Sequence, residues 1–340
     1  MSATTTTTTT RTLRDIPLSV LDLAWIPEGS TAAAALANSR ELVQRAEDWG
    51  FNRHWVAEHH NMLGVACTAT AVVLGYLAAA TQRIRIGSGG VMLPNHAPLI
   101  IAEQFGTLDT LYPGRIDLGL GRAPGTDGLT VRALRRDPSA AEHFAEDVQE
   151  LLYLFQPEAA LGRVQAIPAT GRNVPIWILG SSTWGAQLAA ALGLPFAFAA
   201  HFAPRDLEAA LHLYRTGFKP SAQLQHPYVM VGVHVYAADT DAEAQRLATT
   251  LQQLFLGLHS GRPRALQPPR ADLEQVTPAA DLAGVVATMR YASIGTRDRV
   301  LARLGEIAER TGANELIIAS PMFDHAARMH SYELIAPSSL

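Results

Sequence analysis

The chain has 340 residues, 48% of them hydrophobic and 17% charged, with 27 Lys and Arg against 31 Asp and Glu for a formal net charge of −4. That is ample apolar material for a large core, and the mild acidity argues against nucleic acid as a partner, because phosphate polymers call for a clustered basic face. A single cysteine, Cys67, excludes an internal disulfide and a cysteine-cluster zinc site, and it fits a reducing, cytoplasmic compartment.

Every cation except Lys219 is an arginine. Schiff-base and lysine-nucleophile chemistry would have to use Lys219, which sits in a loop-like Gly-Phe-Lys-Pro, so both are set aside. No segment approaches the roughly 18 consecutive apolar residues of a membrane span, so no membrane partner is expected. Residues 1–15 read as a disordered tail: a run of seven threonines cannot bury a hydrophobic face, and there is no apolar stretch of signal-peptide type.

Beyond the tail, strand and helix alternate. Residues 18–23 are an apolar run of strand length. Residues 32–49 carry Leu36, Val43, Ala46 and Trp49 at helical spacing, and Gly50 stops them. A strand at 53–57, an apolar helix at 70–80 and a short strand at 84–87 follow. Residues 98–112 form a helix opened by Pro98 and closed by Pro113-Gly114. After a strand at 116–120 comes a polar, arginine-rich stretch over 122–138, then a helix at 140–155.

The second half continues the pattern. Strands are predicted at 176–179, 196–200, 228–237 and 315–319, and helices at 184–192, 204–215, 241–258 and 298–310. A last helical segment begins near Asp324. The Pro/Arg-rich run 260–278 has no period; it and its continuation to 283 are expected to act as a mobile lid.

Eight short, almost continuously apolar strands with helical crossovers predict an α/β chain folded as a (β/α)8 TIM barrel, one domain over 16–340 with loop insertions. The competing doubly wound sheet is disfavoured because no G-x-G-x-x-G follows the first strand. Barrel chemistry sits on the loops after the strands' C-terminal ends, so polar residues there carry most weight.

The second strand runs into Glu58-His59-His60-Asn61. One inward histidine can act as acid, base or hydrogen-bond donor, oriented by its neighbour and by Glu58; the alternative is a purely structural polar network. Adjacent strand histidines point to opposite faces and chelate one ion poorly, so no metal is expected. After the third strand, Gly89 and Gly90 allow close approach to a flat ligand, or simply a turn.

Arg122 follows the fourth strand between glycines and suits a phosphate, unless it pairs with Asp117 or Asp127. Gly180-Ser181-Ser182-Thr183 opens a helix after the fifth strand. Its free N–H groups and hydroxyls favour an anion, although a plain Ser/Thr cap reads the same. Arg122 and this helix start could together form a two-sided phosphate cradle. His96, His201, His234 and Asp324 are less informative, each more often a satisfied structural residue.

Together these motifs resemble the bacterial luciferase-like flavin monooxygenases. The resemblance spans nearly the whole chain and is densest at Trp49-Gly50-Phe51 through Asn61, from Arg85 to Pro94, from Pro113 to Arg122, and at Leu179-Gly180-Ser181-Ser182. It implies FMN at the barrel mouth, with His59 as the active-site histidine and Arg122, Gly180, Ser181 and Ser182 around the phosphate. The Gly89–Gly90 peptide would lie beside the flavin ring, where the family often carries a non-proline cis bond.

The implied reaction joins reduced FMN and O2 into a flavin C4a-hydroperoxide that oxidises a small organic substrate. A deazaflavin-dependent dehydrogenase on the same barrel, or a flavin-binding protein without turnover, are the alternatives. No dinucleotide fingerprint is present and the motifs account for one phosphate. Reduced FMN is therefore expected from a separate NAD(P)H:flavin reductase, and the resemblance adds a homodimer. Luciferase itself has a reactive cysteine where this chain has Gly121, which separates its long-chain aldehyde use and light emission from what is expected here.

Overall fold

The structure, a computed structural model, describes residues 12–123, 125–157 and 162–340. Its strands are β1 (Leu18–Asp22), β2 (Arg53–Val56), β3 (Arg85–Ser88), β4 (Val91–Met92), β5 (Ile116–Gly121), β6 (Ile176–Gly180), β7 (Phe196–Phe198), β8 (Val229–Ala237), β9 (Ala292–Gly295) and β10 (Glu315–Ala319). The longer helices between them are α1 (Ala32–Asp48), α2 (Thr70–Ala78) and α3 (Pro98–Leu111), followed by a short α4 (Gly128–Ala133) and by α5 (Phe144–Leu154). The second half adds α6 (Thr183–Leu192), α7 (Leu207–Gly217), α8 (Asp241–His259), α9 (Leu273–Val276), α10 (Ala279–Thr288), α11 (Arg297–Thr311) and α12 (His325–Leu334).

All strand pairings are parallel, and β10 bonds to both β1 and β8, which closes an eight-stranded barrel with helices between the strands. The eight barrel strands are the eight apolar runs read from the sequence. The two remaining strands lie off the closed ring: β4 pairs with β5, and β9 pairs with the C-terminal half of β8.

Side chains alternate across each strand. The outward set, including Leu18, Val20, Val56, Ile86, Ile116, Leu118 and Ile178, is buried under the helices. The inward set forms a smaller core of Leu21, Trp55, Trp177, Ala197, Met230 and Ile317. Beneath it, at the N-terminal end of the barrel, the interior is ionic. Arg53 Nη1 donates to Asp117 Oδ2 at 2.6 Å and its Nε to Glu315 Oε1 at 2.8 Å. Arg85 Nε donates to Asp117 Oδ1 at 3.0 Å, and the Tyr228 hydroxyl to Glu315 Oε2 at 3.0 Å.

The Arg53 guanidinium also lies 4.9 Å from the centroid of the Trp177 ring. Burial works against its charge, but Asp117 and Glu315 outweigh it and raise its pKa. Two cations face two anions, so this buried plug carries no uncompensated charge. His54, also buried, points outward from β2 toward Asp22, 3.7 Å away.

Several elements depart from the sequence reading. The expected helix over 140–155 is a 3-10 turn, Pro138–His143, leading into α5. The polar stretch 122–138 contains α4, and the aperiodic run contains α9. Helix α10 and strand β9 were not expected at all. Leu13–Asp15, within the expected tail, form a 3-10 turn closed by Thr12 and Asp15; the threonine run lies outside the described residues.

The segment 260–283 is anchored by buried Leu266 and Leu273. Glu28 N–H donates to the Leu266 carbonyl at 2.8 Å, and a Cβ on Gly64 would fall 2.8 Å from Ala265 Cα. It therefore lies against the loops that follow β1 and β2, on the C-terminal face of the barrel.

Candidate active site

The C-terminal ends of the strands bring the candidate residues to one mouth. Its floor on one side is made of glycine. A Cβ on Gly119 would stand 2.2 Å from the Ser88 carbonyl oxygen, and one on Gly90 2.8 Å from that of Gly119. A Cβ on Gly89 would meet Leu21 and Trp55 in the barrel interior. Glycine here lets β3 and β5 approach closely. The Gly89–Gly90 peptide is cis.

Arg122 leaves β5 directly and is exposed. Its guanidinium stacks on the Trp184 ring, 4.3 Å from the centroid. Asp117 and Asp127 are engaged elsewhere, Asp117 with Arg53 and Arg85, Asp127 capping α4 and bonding Asn61. Among the described residues Arg122 forms no salt bridge. Trp184 lies in the first turn of α6, whose N-cap, Ser182, makes no side-chain capping bond. The first-turn N–H groups of α6 thus lack a side-chain acceptor, next to a stacked guanidinium. Gly180, Ser181 and Ser182 form the entry to that turn. The stack on Trp184 places Arg122 beside the start of α6.

Three histidines also lie on or after barrel strands. His59 follows β2, and its Nδ1 is buried without a hydrogen-bond partner among the described residues. Burial holds its pKa down; the nearby Glu58 carboxylate opposes that and His60 reinforces it. His201 follows β7, and its ring occupies space above Gly232, where a Cβ would fall 2.3 Å from Nδ1. His234, on β8, packs edge-on against His201 with centroids 5.4 Å apart, and its Nδ1 lies 3.0 Å from the Ala319 carbonyl.

Burial, with His234 and His59 nearby, pushes His201 down to about 3. Burial likewise lowers His234 to about 4. All three rings are neutral at physiological pH, able to donate a hydrogen bond through one nitrogen and accept through the other. His201 and His234 gave no local signal, because a lone histidine after a strand looks the same in a core as in a site.

Glu58 does not orient His59. Its Oε1 receives His60 Nε2 at 2.6 Å and His96 Nε2 at 2.8 Å, and its Oε2 accepts the Met92 N–H at 3.0 Å. Burial raises the Glu58 pKa, but these bonds and the His96 charge outweigh it and leave it lowered. Asp324 caps α12 through Ala327 N–H at 2.7 Å and takes no part in the mouth.

A closed parallel barrel with polar side chains gathered at the C-terminal ends of its strands is the architecture of α/β enzymes whose chemistry lies on strand-end loops. The sequence model of the luciferase-like monooxygenases matches residues 16–315, and the chain belongs to that family. YvbT of Bacillus subtilis is 52% identical over 324 residues, 95% of this chain and 96% of its own length. The N-acetyl-S-alkylcysteine monooxygenase of the same organism is 34% identical, covering 96% of this chain and 98% of its own.

Among solved structures, apo-MsnO8 superposes with a TM-score of 0.87 at 37% identity, over 95% of this chain and 98% of that one. The fold alone is shared with two others. One is the oxygenating constituent of 3,6-diketocamphane monooxygenase from Pseudomonas putida in complex with FMN, with a TM-score of 0.70 and 18% identity over 94% of this chain and 98% of that one. The other is an F420-dependent secondary alcohol dehydrogenase, with a TM-score of 0.69 and 17% identity over 96% and 99%.

Proposed function

We propose that this protein is the oxygenase of a two-component system: it takes reduced FMN and O2 and oxidises a small organic substrate at the barrel mouth. The observation that carries the reading is the Arg122–Trp184 stack beside the uncapped start of α6, together with the unpartnered His59 nitrogen. One phosphate is accommodated there, by a guanidinium on one side and helix N–H groups on the other. Gly180, Ser181 and Ser182 supply backbone and hydroxyl donors, and Gly89 and Gly90 supply the flat surface for a ring system. When bound, reduced FMN supplies the electrons that activate O2. The protein's part is to hold the phosphate, exclude water and keep the unpartnered His59 nitrogen available to give or take a proton.

Relatives support the two-component arrangement in their own names. The trigonelline monooxygenase of Acinetobacter baylyi is described as an oxygenase component, as is the FMN-complexed camphane enzyme in equivalent words. A separate NAD(P)H:flavin reductase is the partner that fits. No helix among the described residues is long and apolar enough to cross a membrane, and cytoplasmic placement is part of this reading. So is a homodimer. Val72 and Tyr76 on α2, with Ile100 and Leu111 on α3, leave large apolar side chains exposed on adjacent helices. The segment 260–283, lying against the loops after β1 and β2, serves as the lid.

The test is to mix the protein anaerobically with pre-reduced FMN, then with O2 and a substrate panel that includes thioethers. Oxygenated product formed in proportion to O2 consumed supports the reading; peroxide alone with every substrate counts against it. A parallel arm with reduced deazaflavin and no O2 reports the dehydrogenase alternative. A third arm supplies NADPH and oxidised FMN without a reductase; rapid flavin bleaching there would refute the separate partner.

A further inference from the structure

The most concentrated group of metal-type donors lies outside the cradle. Glu58 Oε1 is shared between His60 Nε2 at 2.6 Å and His96 Nε2 at 2.8 Å. The three donor atoms all lie within 4.8 Å of one another. We infer that Glu58, His60 and His96 form a divalent transition-metal site of the zinc class, with two imidazole nitrogens and one carboxylate oxygen as ligands and a further position open to water.

Donor chemistry and exposure agree. Imidazole and carboxylate together suit zinc and its neighbours, and three protein ligands plus water is the open tetrahedral pattern. The Glu58 side chain is 2% exposed, while those of His60 and His96 are 13% and 27% exposed, so the fourth position faces solvent. An ion about 2.0–2.1 Å from each atom would spread neighbouring donors to about 3.3 Å, a shift of roughly half an ångström that side-chain rotation supplies.

The supports are already in place. The other Glu58 oxygen is held by the Met92 N–H, which leaves Oε1 as the single ligand atom. His60 is fixed at both ends of its peptide, its N–H donating to the Gly125 carbonyl at 3.2 Å and its carbonyl accepting from Thr126 Oγ1 at 2.9 Å. His96 is fixed likewise: its N–H donates to the Leu93 carbonyl at 2.9 Å, and its carbonyl accepts from Arg136. The ligands come from the loop after β2 and the turn after β4, so an ion would clasp these two segments together. The sequence argument against a metal concerned the pair His59–His60; here only His60 is used, with partners from elsewhere.

The test is titration of the chelator-treated full-length protein with Zn2+ by calorimetry, and with Co2+ followed by its visible absorption. One equivalent per chain is expected, with a tetrahedral cobalt spectrum. His60→Ala and His96→Ala should each weaken binding by more than about 100-fold, beyond the usual effect of losing an outer-shell partner. His330→Ala removes the exposed histidine beside Asp239 and Glu333 and should change nothing. Absence of binding, binding that survives both ligand variants, or binding lost in His330→Ala would each overturn the inference. In the first case Glu58 is only a hydrogen-bonded clamp. None of these readouts depends on flavin or turnover.

Discussion

The guanidinium of Arg122 lies 4.3 Å from the centroid of the Trp184 ring, which joins the end of β5 to the first turn of α6. Two elements distant in sequence are thereby held together, and the stack orients the cation without neutralising it. Trp184→Ala removes the platform but keeps the charge. A cation–π contact contributes about 0.5–1 kcal/mol, so FMN affinity should fall by about two- to fivefold. Fluorescence titration measures this; a loss as large as that from removing Arg122 would mean that Trp184 contacts the ligand itself.

His59 and His60 diverge, one with an unpartnered buried nitrogen and the other bound to Glu58. His59→Ala should leave flavin binding largely intact and lower turnover by about 10²–10⁴, the range for a positioned acid or base. His60→Ala should act chiefly on the loop, with a far smaller effect on turnover. The reverse pattern in steady-state rates would exchange their roles.

Much of this was legible in the sequence, for identifiable reasons. Barrel strands buried on both faces are continuous apolar runs, so all eight stood out. Arg122 and Ser182 stood out because they follow strands directly. The two-residue β4 is too short to be seen, and β9, Ala-Ser-Ile-Gly off the closed ring, is not a continuous apolar run. The ionic plug was hidden because Arg53, Asp117 and Glu315 each read locally as a charged strand edge; only ring closure brings them together. Glu58, His60 and His96 converge only because the turn after β4 folds back over β2.

The plug makes a stability prediction. Glu315 is fully buried and receives Arg53, Tyr228 and Asn52. Glu315→Ala leaves the Arg53 charge partly uncompensated and should lower stability by about 3–5 kcal/mol. Glu315→Gln should cost less, since it keeps part of the bonding. A urea midpoint almost unchanged in Glu315→Ala would show that Asp117 alone neutralises the site.

The buried histidines make stability depend on pH. Unfolded imidazoles titrate near pH 6.5, whereas His201 and His234 in the fold are held at about 3 and about 4. The unfolded chain therefore binds more protons as pH falls below about 6.5, and stability drops from there toward about pH 3. Above about pH 6.5 their contribution is complete. His234→Gln, which cannot take up a proton when unfolded, should flatten this slope in melting temperature against pH. An identical slope in the variant would place the acid sensitivity elsewhere.

The central claim is that Arg122 and the start of α6 hold the phosphate of a flavin mononucleotide. The direct measurement is calorimetric titration of FMN and of riboflavin, which lacks the phosphate, into the wild type and Arg122→Ala. The wild type should bind FMN more tightly than riboflavin. Arg122→Ala should lose about 1.5–3 kcal/mol for FMN, about 10–150-fold in Kd, with riboflavin affinity almost unchanged. A folded Arg122→Ala protein that binds FMN as tightly as the wild type would contradict the account.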